Sequence, residues 1–412
     1  DWSSDVCSSD LRGGATGDEQ AVDAQRHELA QQRRAEERRR LGLPEDDTSS
    51  MQETMSLALR LNAEYANFYC TMAYPGSALY TQALEHKWPL PSSWSGYSQH
   101  SVDSTPLPTR YLKATEVLAF RAQAFQHYFN APSYLSMMRE KFGDDTVAHI
   151  RAMQNCRPGL REYHLEAELL HEFRRHGSQH VAYNSIVAAG SNTCILHHRA
   201  GNAELRDGDL CLIDAGCELN GYASDITRTF PVNGKFSGPQ RSIYEIVLAA
   251  QIAAIEQTKP GKVFTDPHDA AVHVITQGLI DLGIIKADSV ANAIEQKLYQ
   301  PYYMHRTSHW LGMDVHDCGS YVEPGEPITE PAKLDPISGA MVQPKPSRVL
   351  RPGMVLTLEP GLYVRPAEDI PEAYWGIGIR IEDDAIVTPQ GCELITRDVP
   401  VEPDAIEALM HG

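Results

Sequence analysis

Residues 207–232, DGDLCLIDAGCELNGYASDITRTFPV, decide the reading of this chain. An apolar run, LCLIDAG, meets a second run, YASDITRTF, across CELNG. Asn220-Gly221 at the centre is the strongest short hairpin signal, because a type I′ turn needs positive φ at both central residues. The spacing predicts two antiparallel strands, with Asp214 ending the first and Asp225 on its partner, both carboxylates to one side. A lone Asp at a strand end is usually a turn or cap residue. Two carboxylates inside apolar strands on either side of one hairpin are costly to bury unpaired, so the pair predicts a bound cation.

Three later stretches carry side chains of the same kind. YMHRTSHWLGMDVHD holds His305, His309 and His316. A single His in an apolar stretch is ordinarily a core or surface residue, but this density shifts the expectation towards function. His309, mid-run between Ser308 and Trp310, is the expected ligand. His305 and His316 are expected to stand beside the ligands or to donate to a substrate carbonyl or leaving group. His197 in CILHHRAG is a further candidate, and His198 the weaker of that doublet. Glu359 in LTLEPGLY precedes Pro360-Gly361, a turn that would aim it into a cleft. Glu382 in GIGIRIEDD follows Arg380 at period two, so both face one side of a strand, with Arg380 able to neutralise or orient the acids. Asp383 and Asp384 are expected in solvent or in a turn. Four carboxylates, Asp214, Asp225, Glu359 and Glu382, with the His309 imidazole suit two divalent ions, and oxygen-rich ligation favours Mn-like hard cations over Zn. Such an ion pair polarises a carbonyl and acidifies water, which is hydrolytic chemistry.

Around these motifs the texture is that of a mixed domain. HLEAELLHEFRRHG reads as a helix closed by Gly177. SGPQRSIYEIVLAAQIAAIEQT and DPHDAAVHVITQGLIDLGI read as two more helices, and residues 323–347, Pro-rich, as a surface insertion. The 412 residues suggest about two to three domains. The net charge of −19 argues against nucleic acid or an anionic membrane as partner. No apolar run approaches about 18 residues, so no membrane span is expected. Eight cysteines without CxxC spacing read as reduced core thiols of a cytoplasmic protein.

DAG-x8-D, SHWLGMDVHD, LEPGLY and GIGIRIED together resemble the metallopeptidases of pita-bread fold, which include methionine aminopeptidase, prolidase and aminopeptidase P. The resemblance covers about residues 150–412, and DGDLCLIDAGCELNGYASDITRTFPVNGKFSGPQRSIYEIVL is most similar to the bacterial Xaa-Pro aminopeptidases. It implies an α+β fold, an antiparallel sheet with covering helices and a pseudo-two-fold axis. It also implies that Asp214 holds one ion, Asp225 and Glu382 both, and His309 and Glu359 the other. Glu359 would handle the proton of the attacking water. His197, His305, His316 and Arg380 would act beside the ligands, with Tyr363 near the site. The implied substrate is a peptide with proline at the second position, in a family whose members are often homo-oligomers. A prolidase acting on dipeptides and a non-enzymatic pita-bread binding module are the alternatives; intact ligands count against the second.

The front of the chain reads differently. Residues 1–41 are polar, with a charged helix expected over 26–40. DWSSDVCSSDL at the start has no helical or strand period and reads as a fragment end or artefact. Residues 42–149 read as mostly helical, with an irregular Pro/Ser-rich stretch, WPLPSSWSGYSQHSVDSTPLPTRYL. ETMSLALRLNAEYANFYCTMAYPGSALY and QHSVDSTPLPTRYL resemble the C-terminal part of a B12-binding radical SAM protein, without the CxxxCxxC that would hold an iron–sulfur cluster. A chimeric reading frame with its seam near TVAHIRAMQNCRPG is therefore expected. The α/β domain that precedes the catalytic one in the family is not recognised here, and impaired or altered peptidase activity is the corresponding expectation.

Overall fold

Asn220 and Gly221 adopt φ of 53° and 83°, the backbone that the hairpin reading requires. In a computed structural model of the chain, residues 40–63, 66–97, 99, 104–325, 333–334, 341–342 and 346–411 are described. The charged helix expected over 26–40 and most of the Pro-rich insertion fall outside them. The chain divides into two compact units, residues 1–124 and 125–412.

In the first unit β1 (Arg40–Leu41) pairs in parallel with β2 (Tyr69–Cys70). Helix α1 (Thr48–Leu61) starts on Asp47, whose side chain accepts from Ser50 N. It buries Met51, Met55 and Ala58, spaced by four and three residues as a one-sided helix requires. Leu61 is 40% exposed, because the helix ends there and the chain turns through Asn62 at φ 45°. Helix α2 (Ala78–Glu85) follows the Tyr74-Pro75-Gly76 turn and packs Ala83 with Ala73 and Leu107. The Pro/Ser-rich stretch contains one short 3-10 turn, Trp94–Tyr97. The division between units falls within α3 (Ala114–Phe129).

The second unit mixes helices with antiparallel sheets and is α+β, as expected. Helix α4 (Pro132–Asn155), with non-helical Gly143 inside it, leads to α5 (Glu162–Arg175), beyond which Gly177 takes φ 98°. Strands β3 (His180–Val181) and β4 (Ile186–Ala189) come next. The quoted segment forms β5 (Leu210–Ala215), β6 (Cys217–Leu219), β7 (Tyr222–Ala223) and β8 (Ile226–Pro231). It splits at Gly216 between two sheets, β4-β5-β8 and β3-β6-β7. A Cβ at Gly216 would lie 1.8 Å from the Ser224 carbonyl oxygen, so only glycine lets the ribbon cross itself here.

Helix α6 (Gly238–Gln257) begins with a capping box between Ser237 and Gln240 and buries Ile243, Val247, Leu248 and Ala254. It packs along α7 (Asp266–Asp281). Gly278 permits the close approach, since a Cβ there would meet Ile246 at 2.7 Å. After α8 (Val290–Glu295), a short pair β9 (Lys333–Leu334) and β10 (Met341–Val342) precedes the last strands. These are β11 (Val355–Leu358), β12 (Gly361–Val364), β13 (Ile377–Arg380), β14 (Asp383–Val387) and β15 (Cys392–Leu394), paired as β11-β14-β15 and β12-β13. Helix α9 (Pro403–His411) ends the described chain. Among the described residues no helix is long and apolar enough to cross a membrane. Cys156, Cys194 and Cys211 are buried and in no disulfide.

Candidate metal centre

Two backbone ladders deliver the acidic side chains to one place. In the first, β5 pairs with β8 so that Asp214 stands opposite Thr227, with Asp225 just before β8. Thr227 in turn bridges to Glu382, whose N–H donates to the Thr227 carbonyl at 3.1 Å. In the second, the Thr357 N–H donates to the His309 carbonyl at 3.1 Å and the Glu359 N–H to that of Thr307 at 2.8 Å. His309 and Glu359 are thereby set on adjacent segments.

The result is a cleft of about 780 Å³ lined by all five sequence-predicted ligands, Asp214, Asp225, His309, Glu359 and Glu382. His197, His305, His316 and Arg380 line it as well. Ligand atoms of Asp225, His309 and Glu382 come within 4.8 Å of one another. His309 Nδ1 lies 3.1 Å from the Trp310 carbonyl. A carbonyl only accepts, so Nδ1 carries the proton and Nε2 presents a lone pair. That lone pair faces Asp225 Oδ2 at 3.3 Å and Glu359 Oε1 at 3.5 Å. Acceptor facing acceptor needs a proton or a cation between them.

The surrounding electrostatics say the same. Burial, then the neighbouring Asp214 charge, pushes the Asp225 carboxyl well above the usual carboxylate range. Burial and Asp225 do the same to Glu382. Burial raises Glu359 to about 7, against the pull of His309 and Arg380. Arg380 is 4% exposed and donates from Nη2 to Asp214 Oδ2 at 2.5 Å, from Nη1 to Tyr363 at 2.8 Å and from Nε to Thr227 Oγ1 at 3.3 Å. The Thr227 hydroxyl in turn donates a hydrogen bond to Glu382 Oε2 at 2.6 Å. One guanidinium beside four acids leaves negative charge for divalent cations, and the oxygen-rich donor set with one imidazole fits hard ions.

The histidines differ in their surroundings. His305 Nδ1 lies 2.8 Å from the Arg306 carbonyl and Nε2 lies 2.9 Å from the Tyr363 hydroxyl, so both nitrogens are occupied. Burial, then Arg380, lowers its pKa to about 3, so the ring is neutral. The His316 ring is 4.2 Å from that of His309, centroid to centroid. His198 turns to Glu162 Oε2, at 2.8 Å.

Two expectations need correction. Asp383 and Asp384, read as solvent or turn residues, are 0% and 1% exposed. Asp383 accepts from Arg228 Nη2 at 2.7 Å and Arg397 Nη1 at 2.8 Å, and Asp384 Oδ2 accepts from the Asp225 N–H at 3.1 Å. Tyr183 was not foreseen at all. Its hydroxyl donates towards both Asp214 Oδ1 and Asp225 Oδ1. No spacing signal marks this tyrosine within VAYNS, which reads as ordinary strand-edge sequence.

The profile of metallopeptidase family M24 matches residues 137–389. The chain belongs to this family. It is 48% identical to the Xaa-Pro aminopeptidase of Escherichia coli K12 over 282 residues, 68% of this chain and 59% of that protein. With the Haemophilus influenzae Xaa-Pro aminopeptidase it shares 44% over 313 residues, 76% of this chain and 68% of that one. The chain thus spans about three-fifths to two-thirds of the length of these relatives. The solved aminopeptidase PepP of Pseudomonas aeruginosa superposes with a TM-score of 0.60 at 40% identity, over 87% of this chain and 74% of that one. The pita-bread fold is therefore the fold of the second unit. The likeness of residues 42–149 to a radical SAM protein finds no support in these similarities.

Proposed function

We propose that the chain is a metal-dependent aminopeptidase that releases the first residue from peptides with proline at the second position. The observation that carries this reading is the His309 Nε2 lone pair aimed at Asp225 and Glu359 inside a cluster of four acids. The similarity to Xaa-Pro aminopeptidases supports the proline preference. In this reading Asp214, Asp225, His309, Glu359 and Glu382 would hold the ions. Two manganese ions would supply Lewis-acid polarisation of the scissile carbonyl and acidify the attacking water.

The chain's own groups do the rest. Glu359, lining the cleft beside His309, takes a proton from the attacking water and returns it to the proline nitrogen. His316, beside His309, donates to the carbonyl oxygen as charge develops there. Arg380 holds Asp214 and, through Tyr363, fixes the His305 ring. The substrate's amino group is drawn to the acids. A proline amide has no N–H to recognise, so the shape of the cleft selects it. A cytoplasmic location belongs to the same reading, supported by free core thiols such as Cys211.

The test is incubation with Mn²⁺ and three substrates: an Xaa-Pro dipeptide, an Xaa-Pro tripeptide and a longer Xaa-Pro peptide. Release of the first residue from the two longer substrates is expected. Cleavage of the dipeptide alone would make the chain a prolidase. Metal uptake without any cleavage would make it a binding protein.

A further inference from the structure

We propose that Glu162 is a positioning residue for His197, holding in place the loop that carries this imidazole at the cleft wall. The part played by His197 in substrate binding rests on the aminopeptidase reading above; the role of Glu162 rests on geometry. Glu162 opens α5 and is 0% exposed. Its Oε1 accepts from the Ala189 N–H and from Asn192 Nδ2, both at 2.9 Å. Its Oε2 accepts from His198 Nε2 at 2.8 Å and from the Gly201 N–H at 3.0 Å. Four donors use the roughly four lone-pair positions a carboxylate offers. They come from the end of β4, from the 3-10 turn Gly190–Cys194 and from the loop that follows it. One buried side chain therefore ties together both ends of residues 189–201.

His197 sits between those ties. Its side chain makes no hydrogen bond to a described residue, and Ile195 and Arg199 on either side of it are exposed. The direction in which His197 enters the cleft is thus set by the loop backbone, and the loop backbone is set by Glu162. Glutamine has the same size but turns one acceptor into a donor. In either orientation it confronts two of the four donors with a third N–H group. A buried acid without its donors, or donors without their acid, is unstable, so the loop has to move.

The test is a double-mutant cycle on an Xaa-Pro peptide with Mn²⁺, using wild type, E162Q, H197A and the double variant. E162Q is expected to lower kcat/KM by about tenfold to a hundredfold, the range that a misplacement of about 1 Å can produce. The double variant is expected to be no worse than H197A alone. Equal losses from E162Q in both backgrounds would overturn the proposal, because a general structural defect does not depend on His197. If E162Q does not fold, H198A, which withdraws one of the four donors, goes through the same cycle. Histidine side-chain NMR of the metal-free protein gives a readout without turnover. The His197 signal, assigned by its loss in H197A, is expected to shift or broaden in E162Q or H198A, and an unchanged signal would overturn the proposal. A wild-type chain that cleaves no Xaa-Pro peptide would sink the aminopeptidase reading, and the spectrum would still decide the role of Glu162.

Discussion

Arg380 reaches Asp214 with Nη2 at 2.5 Å from Oδ2, in a setting where both residues are less than a tenth exposed. The pair gives the acid cluster a buried cationic neighbour, and among the described residues no guanidinium forms an ion pair with Asp225, Glu359 or Glu382. Breaking a buried ion pair costs about 3–5 kcal/mol because the remaining charge is stranded. R380M is expected to lose stability of that order in urea unfolding of the metal-free protein. A loss near zero would mean that Arg380 is not needed to balance the acids.

Metal uptake should release protons. Asp225, Glu382 and Glu359 all have pKa values raised by burial, Glu359 to about 7, and a cation has to displace those protons. Affinity for Mn²⁺ is expected to weaken as pH falls through the Glu359 value, with heats that depend on the ionisation enthalpy of the buffer. The sign for stability runs the other way. A carboxyl raised from its ordinary 4.5 to about 7 contributes stability that is fully present below 4.5 and lost as pH rises through 7. Urea midpoints of the metal-free protein should therefore fall over that window, and saturating metal should flatten the profile. A metal affinity independent of pH across the window would contradict this.

Thr227 is the shared partner of Glu382 and Arg380, donating to one at 2.6 Å and accepting from the other at 3.3 Å. T227V keeps the shape and removes both bonds. Leaving buried polar groups unsatisfied costs about 1–3 kcal/mol, so kcat/KM is expected to fall by about tenfold or more. Metal affinity should fall with it. Unchanged kinetics would show that Glu382 is held by its backbone alone.

Gly216 tests the ribbon that carries both aspartates. An added Cβ would meet the Ser224 carbonyl oxygen at 1.8 Å, a backbone atom with no room to yield. G216A is expected to destabilise by about 1–3 kcal/mol or more. It should also weaken metal binding, because Asp214 and Asp225 lie two residues before it and one after Ser224. Calorimetry on the variant checks both effects, and native-like metal affinity would separate the ribbon from the site.

The candidate ligands stand out in the sequence because each interrupts an apolar strand or a turn, where a charge needs a reason. The hairpin was legible because Asn220-Gly221 has one common backbone solution. Asp383 and Asp384 were misread for a physical reason. A doubled acid after a strand looks like a solvated turn, and the groups that bury it are elsewhere in the chain. Arg228 is 155 positions from Asp383, and the Asp225 N–H is 159 from Asp384. Tyr183 and Glu162 share that difficulty. A tyrosine in a strand-edge stretch and a glutamate at a helix start each have ordinary local explanations, and their roles exist only once distant loops converge.

Four acids and an imidazole, in this reading, would hold a pair of divalent ions. Calorimetric titration of the metal-free chain with Mn²⁺, repeated on E382Q, tests it most directly. Two ions per wild-type chain are expected, with a loss of tight binding at both positions in E382Q if that carboxylate serves both ions. Absence of tight uptake by the wild-type chain, or an E382Q isotherm identical to wild type, would contradict it.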